Sequence, residues 1–100
     1  MIVNITNANF STEVENSKGI VIVDFYGTWC MPCKFLMPIL EKIESEKNIK
    51  LAKVDIDENE DLCRKFNIVS VPTLKIYKDG KEIDTIVGLV SEDTILEKIK

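Results

Sequence analysis

The chain contains no histidine, which removes several kinds of site at once. Cysteine hydrolases most often need histidine to activate the thiol, so they are disfavoured. Covalent haem attachment needs histidine directly after Cys-x-x-Cys, where this chain has Lys34. Zinc takes four ligands, and the three cysteines could not supply them without carboxylates. We therefore expect neither a metal nor a bound cofactor.

Long apolar runs and runs of basic residues are also missing. No window approaches the roughly 20 apolar residues of a membrane span, and the first residues lack the features of a secretory signal. The 13 basic and 17 acidic residues give a net charge of −4, with no patch suited to nucleic acid or an anionic membrane. Few cysteines, in an odd number, are not typical of a secreted disulfide scaffold. We expect one cytoplasmic domain, residues 1–100, that binds neither nucleic acid nor membrane.

The hydrophobic pattern predicts an α/β fold with the order β-α-β-α-β-α-β-β-α. A central mixed sheet of about five strands would be flanked by four helices. The predicted strands are 1–5, 20–26, 49–56, 73–77 and 82–87, with a hairpin turn at 78–81. The predicted helices run over about 7–17, 33–47 and 57–66, and from the Ser91 cap to the end.

Several details of the predicted helices can be tested. Asn7 would cap the first helix, with Phe10 and Val14 facing inward. Asp57 and Glu60 have the spacing of a capping box. The second helix would carry a proline kink at Pro38, and its apolar side would consist of Phe35, Leu36, Ile39, Leu40 and Ile43. The last helix would face inward with Ile95, Leu96 and Ile99.

The segment Trp29-Cys30-Met31-Pro32-Cys33 joins a predicted strand to a predicted helix. Cysteines three apart at a helix start lie about 5–6 Å from each other, which suits a disulfide. The helix N-terminus also favours a thiolate over a thiol. Cys30 would lie on the solvent side, with Cys33 one turn in and shielded. The pattern indicates a reversible two-electron redox switch, with a purely structural disulfide as the alternative.

Asp24 lies inside an otherwise apolar predicted strand. Burial disfavours the charged carboxylate and raises its pKa. General acid–base chemistry near neutral pH needs an acid of this kind. The alternative is an aspartate near the strand end that points to solvent.

Residues along the whole chain resemble the thioredoxin family in order and spacing. They are Val23-Asp24-Phe25, Trp29-Cys30-x-Pro32-Cys33-Lys34, Pro38, Lys53, Val71-Pro72-Thr73, Asp79-Gly80 and Gly88. The resemblance implies a thioredoxin fold and a thiol–disulfide oxidoreductase that reduces protein disulfides.

The resemblance also implies a role for each matching residue. Cys30 would be the exposed nucleophile and Cys33 the buried resolving thiol, with Pro32 in the redox loop. Asp24 would pass protons to or from Cys33, and Lys53 would lie near Asp24 unless it is a solvated strand lysine. Pro72 would follow a cis peptide bond facing the cysteines.

An apolar patch around Cys30 would contact substrates, with Val71 pairing to an extended substrate segment. Its members would be Trp29, Met31, Pro32, Ile56, Val71, Gly88 and Leu89. Trp29 could instead only fill the core. Met31 stands where the family usually has glycine, which leaves substrate range and redox potential open. Cys63 reads as a core-edge thiol, or else as a regulatory or intermolecular one.

The resemblance further implies partners for the chain. These are a thioredoxin reductase and protein disulfides such as those of ribonucleotide reductase, peroxiredoxins or methionine sulfoxide reductases. The chain itself would act as a monomer. Two rival functions stay open: an oxidant or isomerase of the same fold, and a non-catalytic binding module. Oxidants of this fold often carry histidine between the cysteines, and a binding module needs neither the cysteine pair nor Asp24.

Overall fold

A computed structural model describes residues 1–100 and contains one five-stranded mixed sheet. The strands lie in the order β1-β3-β2-β4-β5. They are β1 (Ile2–Asn4), β2 (Ile20–Tyr26), β3 (Lys50–Asp55), β4 (Thr73–Lys78) and β5 (Lys81–Val87). β3 pairs in parallel with β1 and β2, whereas β4 pairs antiparallel with β2 and β5. The predicted mixed sheet is confirmed, and β2 lies at its centre.

Three α-helices and one π-helical turn cover the two faces of the sheet. The helices are α1 (Met31–Lys47), α2 (Glu60–Lys65) and α3 (Glu92–Lys98), and the π-helical turn is Ser11–Glu15. One core cluster packs Phe10, Val14 and Leu62 against the sheet, and the other packs Leu36, Leu40 and Ile95 against its opposite face. The predicted flanking of the sheet by four helical segments is therefore confirmed.

The first helical segment is shorter than predicted. In place of an α-helix over 7–17 the chain forms a turn and then five π-helical residues. The Asn9 side chain accepts a hydrogen bond from the Thr6 N–H at 2.7 Å, and the Thr6 hydroxyl accepts one from the Ala8 N–H at 3.2 Å. These local bonds compete with a helical start. Phe10 and Val14 are nevertheless buried, as predicted.

The predicted capping box of α2 is wrong. The helix begins at Glu60 after Asn59, and no side chain caps it. Asp57 lies in a turn, where its N–H donates to the Asp55 carboxylate at 2.9 Å. Its own carboxylate accepts a hydrogen bond from the Trp29 indole instead.

The predicted inner face and start of α1 are partly revised. α1 buries Leu36, Leu40 and Ile43, but Phe35 is 63% exposed, so Phe35 does not belong to the inner face. α1 starts two residues earlier than predicted and continues past Pro38.

In α3 the Ser91 hydroxyl accepts a hydrogen bond from the Thr94 N–H at 3.2 Å, and the predicted cap is confirmed. Ile95 is buried there, with Leu96 and Ile99 half-buried beside it.

Candidate functional site

Cys30 and Cys33 form a disulfide at the start of α1, with a Cα–Cα distance of 5.3 Å. Cys30 occupies the N-cap position in extended conformation, and Pro32 lies in the first turn, where its missing N–H costs no helical bond. The Cys30 sulfur accepts a hydrogen bond from the Cys33 N–H at 3.2 Å. An unpaired helix N–H thus points at the sulfur that would carry negative charge after reduction.

The expected difference in exposure between the two cysteines is absent in this disulfide form. Cys30 is 4% exposed and Cys33 is 5% exposed. The disulfide draws the Cys30 sulfur toward the helix, because it is bonded to Cys33 and also accepts the Cys33 N–H. The expectation of an exposed Cys30 is therefore wrong for the oxidised protein.

Asp24 lies buried in the central strand and faces α1. It is 1% exposed, and its Oδ1 atom has no hydrogen-bond partner. Side chains alternate along β2, so Asp24 shares a face with Ile22, which packs in the same cluster as Leu36 of α1. Burial raises the Asp24 pKa from its ordinary 3.8 to about 7. The alternative of a solvent-facing aspartate is excluded.

Lys53 and Tyr26 adjoin Asp24 at the same end of the sheet. Lys53 is the register partner of Asp24 in the parallel β2–β3 pair, and its positive charge partly offsets the pKa rise of Asp24. The Lys53 Nζ lies 4.9 Å from the centroid of the Tyr26 ring. Burial raises the Tyr26 pKa, and the charges of Asp55, Asp24 and Glu58 raise it further. Lys53 is half-buried and lies near Asp24, as the resemblance implies.

The loop before β4 is held in place from two sides. The Val71–Pro72 peptide bond is cis, in agreement with the expectation for Pro72. The Thr73 hydroxyl donates to the Ser70 carbonyl at 2.7 Å, and the Gly88 N–H donates to the Pro72 carbonyl at 2.8 Å. Gly88 has φ +92°, a conformation that glycine adopts without strain.

Members of the predicted apolar patch line a groove of about 670 Å³ beside α2. Trp29, Ile56 and Val71 face this groove, and Trp29 is 64% exposed, so it does not merely fill the core. Met31 and Leu89 are also largely exposed, at 56% and 48%, while Gly88 is half-buried.

Sequence reasoning missed two residues that position Trp29. The Asp57 carboxylate accepts a hydrogen bond from the Trp29 Nε1–H at 2.9 Å. A side chain on Gly27 would place its Cβ 2.7 Å from the Trp29 ring, so only glycine lets the indole lie there. Gly27, which directly follows the predicted strand 20–26, is the available signal in the sequence.

Cys63 is the free thiol and is half-buried. Its sulfur lies 3.9 Å from the Ile56 carbonyl oxygen, and it also lines the groove beside Trp29. Burial raises its pKa, and the charges of Asp57 and Glu60 raise it further. A thiol with a raised pKa forms little thiolate at neutral pH.

Nothing in the structure points to a metal or a membrane-spanning segment. No group of three or more histidine, cysteine, aspartate or glutamate side chains could hold a metal ion. No helix is both long and apolar enough to cross a bilayer.

Comparison with known proteins adds independent information. The family model for thioredoxin matches residues 1–100. The thioredoxin of Listeria monocytogenes is 42% identical over 101 residues, covering 99% of this chain and 96% of the relative. The thioredoxin of Mycobacterium tuberculosis is 40% identical over 99 residues, covering 97% and 85%. A solved structure of a mutant thioredoxin from Halobacterium salinarum superposes with a TM-score of 0.90 at 32% identity, covering 98% of this chain and 87% of that one.

Proposed function

Because the chain belongs to the thioredoxin family and is a thiol–disulfide oxidoreductase that reduces protein disulfides, we propose that Cys30 is its nucleophile and Cys33 its resolving thiol. One observation carries this assignment. The Cys33 N–H donates to the Cys30 sulfur at the helix N-cap, so a thiolate is better stabilised on Cys30 than on Cys33. One thioredoxin domain, residues 1–100, would contain the whole reaction.

The reaction needs only the two thiols and a substrate disulfide. The Cys30 thiolate attacks one substrate sulfur, which forms a mixed disulfide and expels the other substrate sulfur as a thiolate. The Cys33 thiolate then attacks the Cys30 sulfur, which releases the second substrate sulfur and forms the Cys30–Cys33 disulfide. Two electrons pass to the substrate, and the protons of the two cysteines are available for its new thiols.

Asp24 would act as the proton acceptor that frees Cys33 for the second attack. The stripe of α1 that faces the sheet contains Cys33, Leu36 and Leu40, and Asp24 faces that stripe from β2. An acid with a pKa of about 7 can both take and return a proton near neutral pH. Lys53 would set how far that pKa rises, because its charge stabilises the ionised carboxylate.

Substrate would be held by the apolar patch and by the loop at Pro72. The exposed side chains of Trp29, Met31 and Leu89 would offer apolar surface to a substrate, and the backbone at Val71 could pair with an extended segment. Pro32, between the two cysteines, and Pro72, directly before β4, would each restrict the backbone at the site, since proline limits φ.

Thioredoxins are generally re-reduced by thioredoxin reductase, and we propose such a reductase as the partner of this chain. The resemblance suggests ribonucleotide reductase, peroxiredoxins and methionine sulfoxide reductases as oxidised substrates. The protein would act on them as a monomer in the cytoplasm. The cofactor-free dithiol would be the only redox group.

Trapping experiments test the two cysteine roles. Cys33→Ser should accumulate substrates as stable mixed disulfides on Cys30, whereas Cys30→Ser should trap almost none. In the reduced wild type, iodoacetamide should label Cys30 first, with an apparent pKa below that of a free thiol. Trapping by Cys30→Ser, or preferential labelling of Cys33, would reverse the assignment.

The reduction potential separates the proposed reductase from an oxidant or isomerase of the same fold. Equilibration with glutathione should leave the Cys30–Cys33 pair largely oxidised even in reducing mixtures, as for a reductase near −270 mV. A potential near −120 mV would favour the oxidant instead.

A further inference from the structure

α1 carries two apolar stripes, and only one of them faces the core. Cys33, Leu36, Leu40 and Ile43 form the buried stripe. Met31, Phe35 and Pro38 form a second stripe, here called the outer ridge, and all three are exposed. Residues at i, i+4 and i+7 share one face of a helix, so the outer ridge is continuous.

The outer ridge contributes little to folding. Met31 is 56% exposed and Phe35 is 63% exposed, so most of their apolar surface remains in water. Isolated exposed apolar residues are ordinary, but aligned large ones are typical of surfaces that bind a partner. Only one charged residue, Lys34, occurs between positions 31 and 40, so the surroundings suit an apolar partner.

The ridge begins beside the disulfide. Met31 lies between the two cysteines and belongs to the apolar patch of the proposed function, so ridge and patch share a member. Phe35 follows Cys30 by five positions, which is a rise of about 7.5 Å along the helix and a rotation of about 140° around it. Because a helix with its side chains is about 10–12 Å across, the two side chains lie roughly 12 Å apart. An extended segment advances about 3.3 Å per residue, so three or four substrate residues span that distance.

We propose that the outer ridge, and Phe35 above all, selects substrate segments with a large apolar side chain three or four residues from the cysteine that Cys30 attacks. This inference rests on the proposed function and names its substrate class. The contact would bury the Phe35 ring against the substrate side chain while the mixed disulfide forms, which would raise the rate of attack.

A scan of peptide disulfides tests this selectivity. Each substrate is a symmetric disulfide dimer of a nine-residue serine-rich peptide with one central cysteine and one phenylalanine, placed one to four positions before or after it. Pre-reduced protein is mixed with each dimer, quenched with acid and analysed by chromatography for peptide thiol. We expect wild type to react about fivefold faster when phenylalanine is three or four positions away on one side.

Variants assign the preference to the ridge. Phe35→Ser should bring the ratio of the best peptide to an all-serine peptide close to one, and Phe35→Leu should restore most of it. Ile83→Ser is the matched control, because Ile83 is an exposed apolar residue on β5, 49% exposed and outside the proposed site. This control should keep the wild-type preference.

The outcomes separate the two proposals. A flat scan by an active wild type, or a preference that survives in Phe35→Ser, would overturn the ridge alone. Loss of the preference in Ile83→Ser would overturn it as well. A wild type that reduces none of the dimers would overturn the reductase function together with the ridge. A concentration-dependent dimer of wild type that Phe35→Ser abolishes would assign the ridge to self-association instead.

Discussion

Asp24 in β2 and Lys75 in β4 are both buried charged residues, yet their surroundings differ. The Lys75 Nζ donates to the Glu82 carboxylate and to the Thr85 hydroxyl, each at 3.2 Å. The Asp24 Oδ1 atom has no hydrogen-bond partner. Asp24 lies on the opposite face of the sheet from Lys75, which is the face that packs against α1. The partnered charge belongs to the packing of the β4–β5 hairpin, whereas the unpartnered one remains available for proton transfer.

Asp24→Asn should have the largest effect. Well below pH 3.8 both folded and unfolded chains are protonated at Asp24, so the variant gains nothing there. Between 3.8 and about 7 the unfolded chain ionises while the folded chain keeps its proton, so rising pH increasingly favours unfolding of wild type. Urea unfolding of the oxidised variant should show a gain of about 4 kcal/mol at pH 8 and of less than about 1 kcal/mol at pH 4.

The same variant should lose activity. Without the proton acceptor, turnover of insulin disulfides with dithiothreitol should fall about tenfold at pH 7, while alkylation of Cys30 changes less. Unchanged stability at pH 8 together with full turnover would rule out the proton-transfer role of Asp24.

Lys75→Met tests how much the ion pair between Lys75 and Glu82 stabilises the fold. Methionine keeps the apolar stem of lysine, and Glu82 is 38% exposed in its side chain, so water can hydrate the carboxylate that is left. We expect a stability change of about 1 kcal/mol or less, and unchanged turnover. A loss of several kcal/mol would mean that the ion pair, and not the stem, holds the hairpin.

Lys53→Met tests how the Lys53 charge affects the Asp24 pKa. The Lys53 charge lowers the Asp24 pKa, so its removal should raise that pKa further above its ordinary value. The pH at which stability levels off should rise by about half a unit, equivalent to about 0.7 kcal/mol. NMR titration of the Asp24 carboxyl measures its pKa directly. A lower titration midpoint in the variant than in wild type would contradict the assigned interaction between Lys53 and Asp24.

Cys63→Ala should have the smallest effect. Its raised pKa makes the thiol a poor nucleophile, and turnover should stay within about twofold of wild type. The variant should also lack any slow covalent dimer that wild type forms on air oxidation. A large loss of turnover would mean that Cys63 takes part in the reaction.

The sequence predicts most of the fold because its strong signals are local. The five strands, the Asp79-Gly80 hairpin turn and the Ser91 cap follow from apolar alternation and from single residues at turns and caps. The burial of Asp24 could be predicted too, since its strand neighbours are all apolar.

The missed features depend on contacts between distant segments or on competition within a turn. Asp57 has the spacing of a cap, but the indole N–H of Trp29, distant in sequence, takes its carboxylate. The side-chain bonds of Thr6 and Asn9 shorten the first helix despite a correct apolar pattern. Phe35 fits a helical apolar pattern, but the pattern alone does not tell which apolar stripe of α1 faces the core.

The central position of β2 also bears on how the protein folds. The β4–β5 hairpin joins strands adjacent in sequence, whereas β2 meets β3 and β4 only after long loops close. Local pairings form fastest, so we expect the hairpin to precede the enclosure of β2. A partly folded chain would leave Asp24 hydrated, with the acidity of an ordinary aspartate. The chemistry of the buried acid would therefore arise only in the last stages of folding, when the sheet closes on both sides of it.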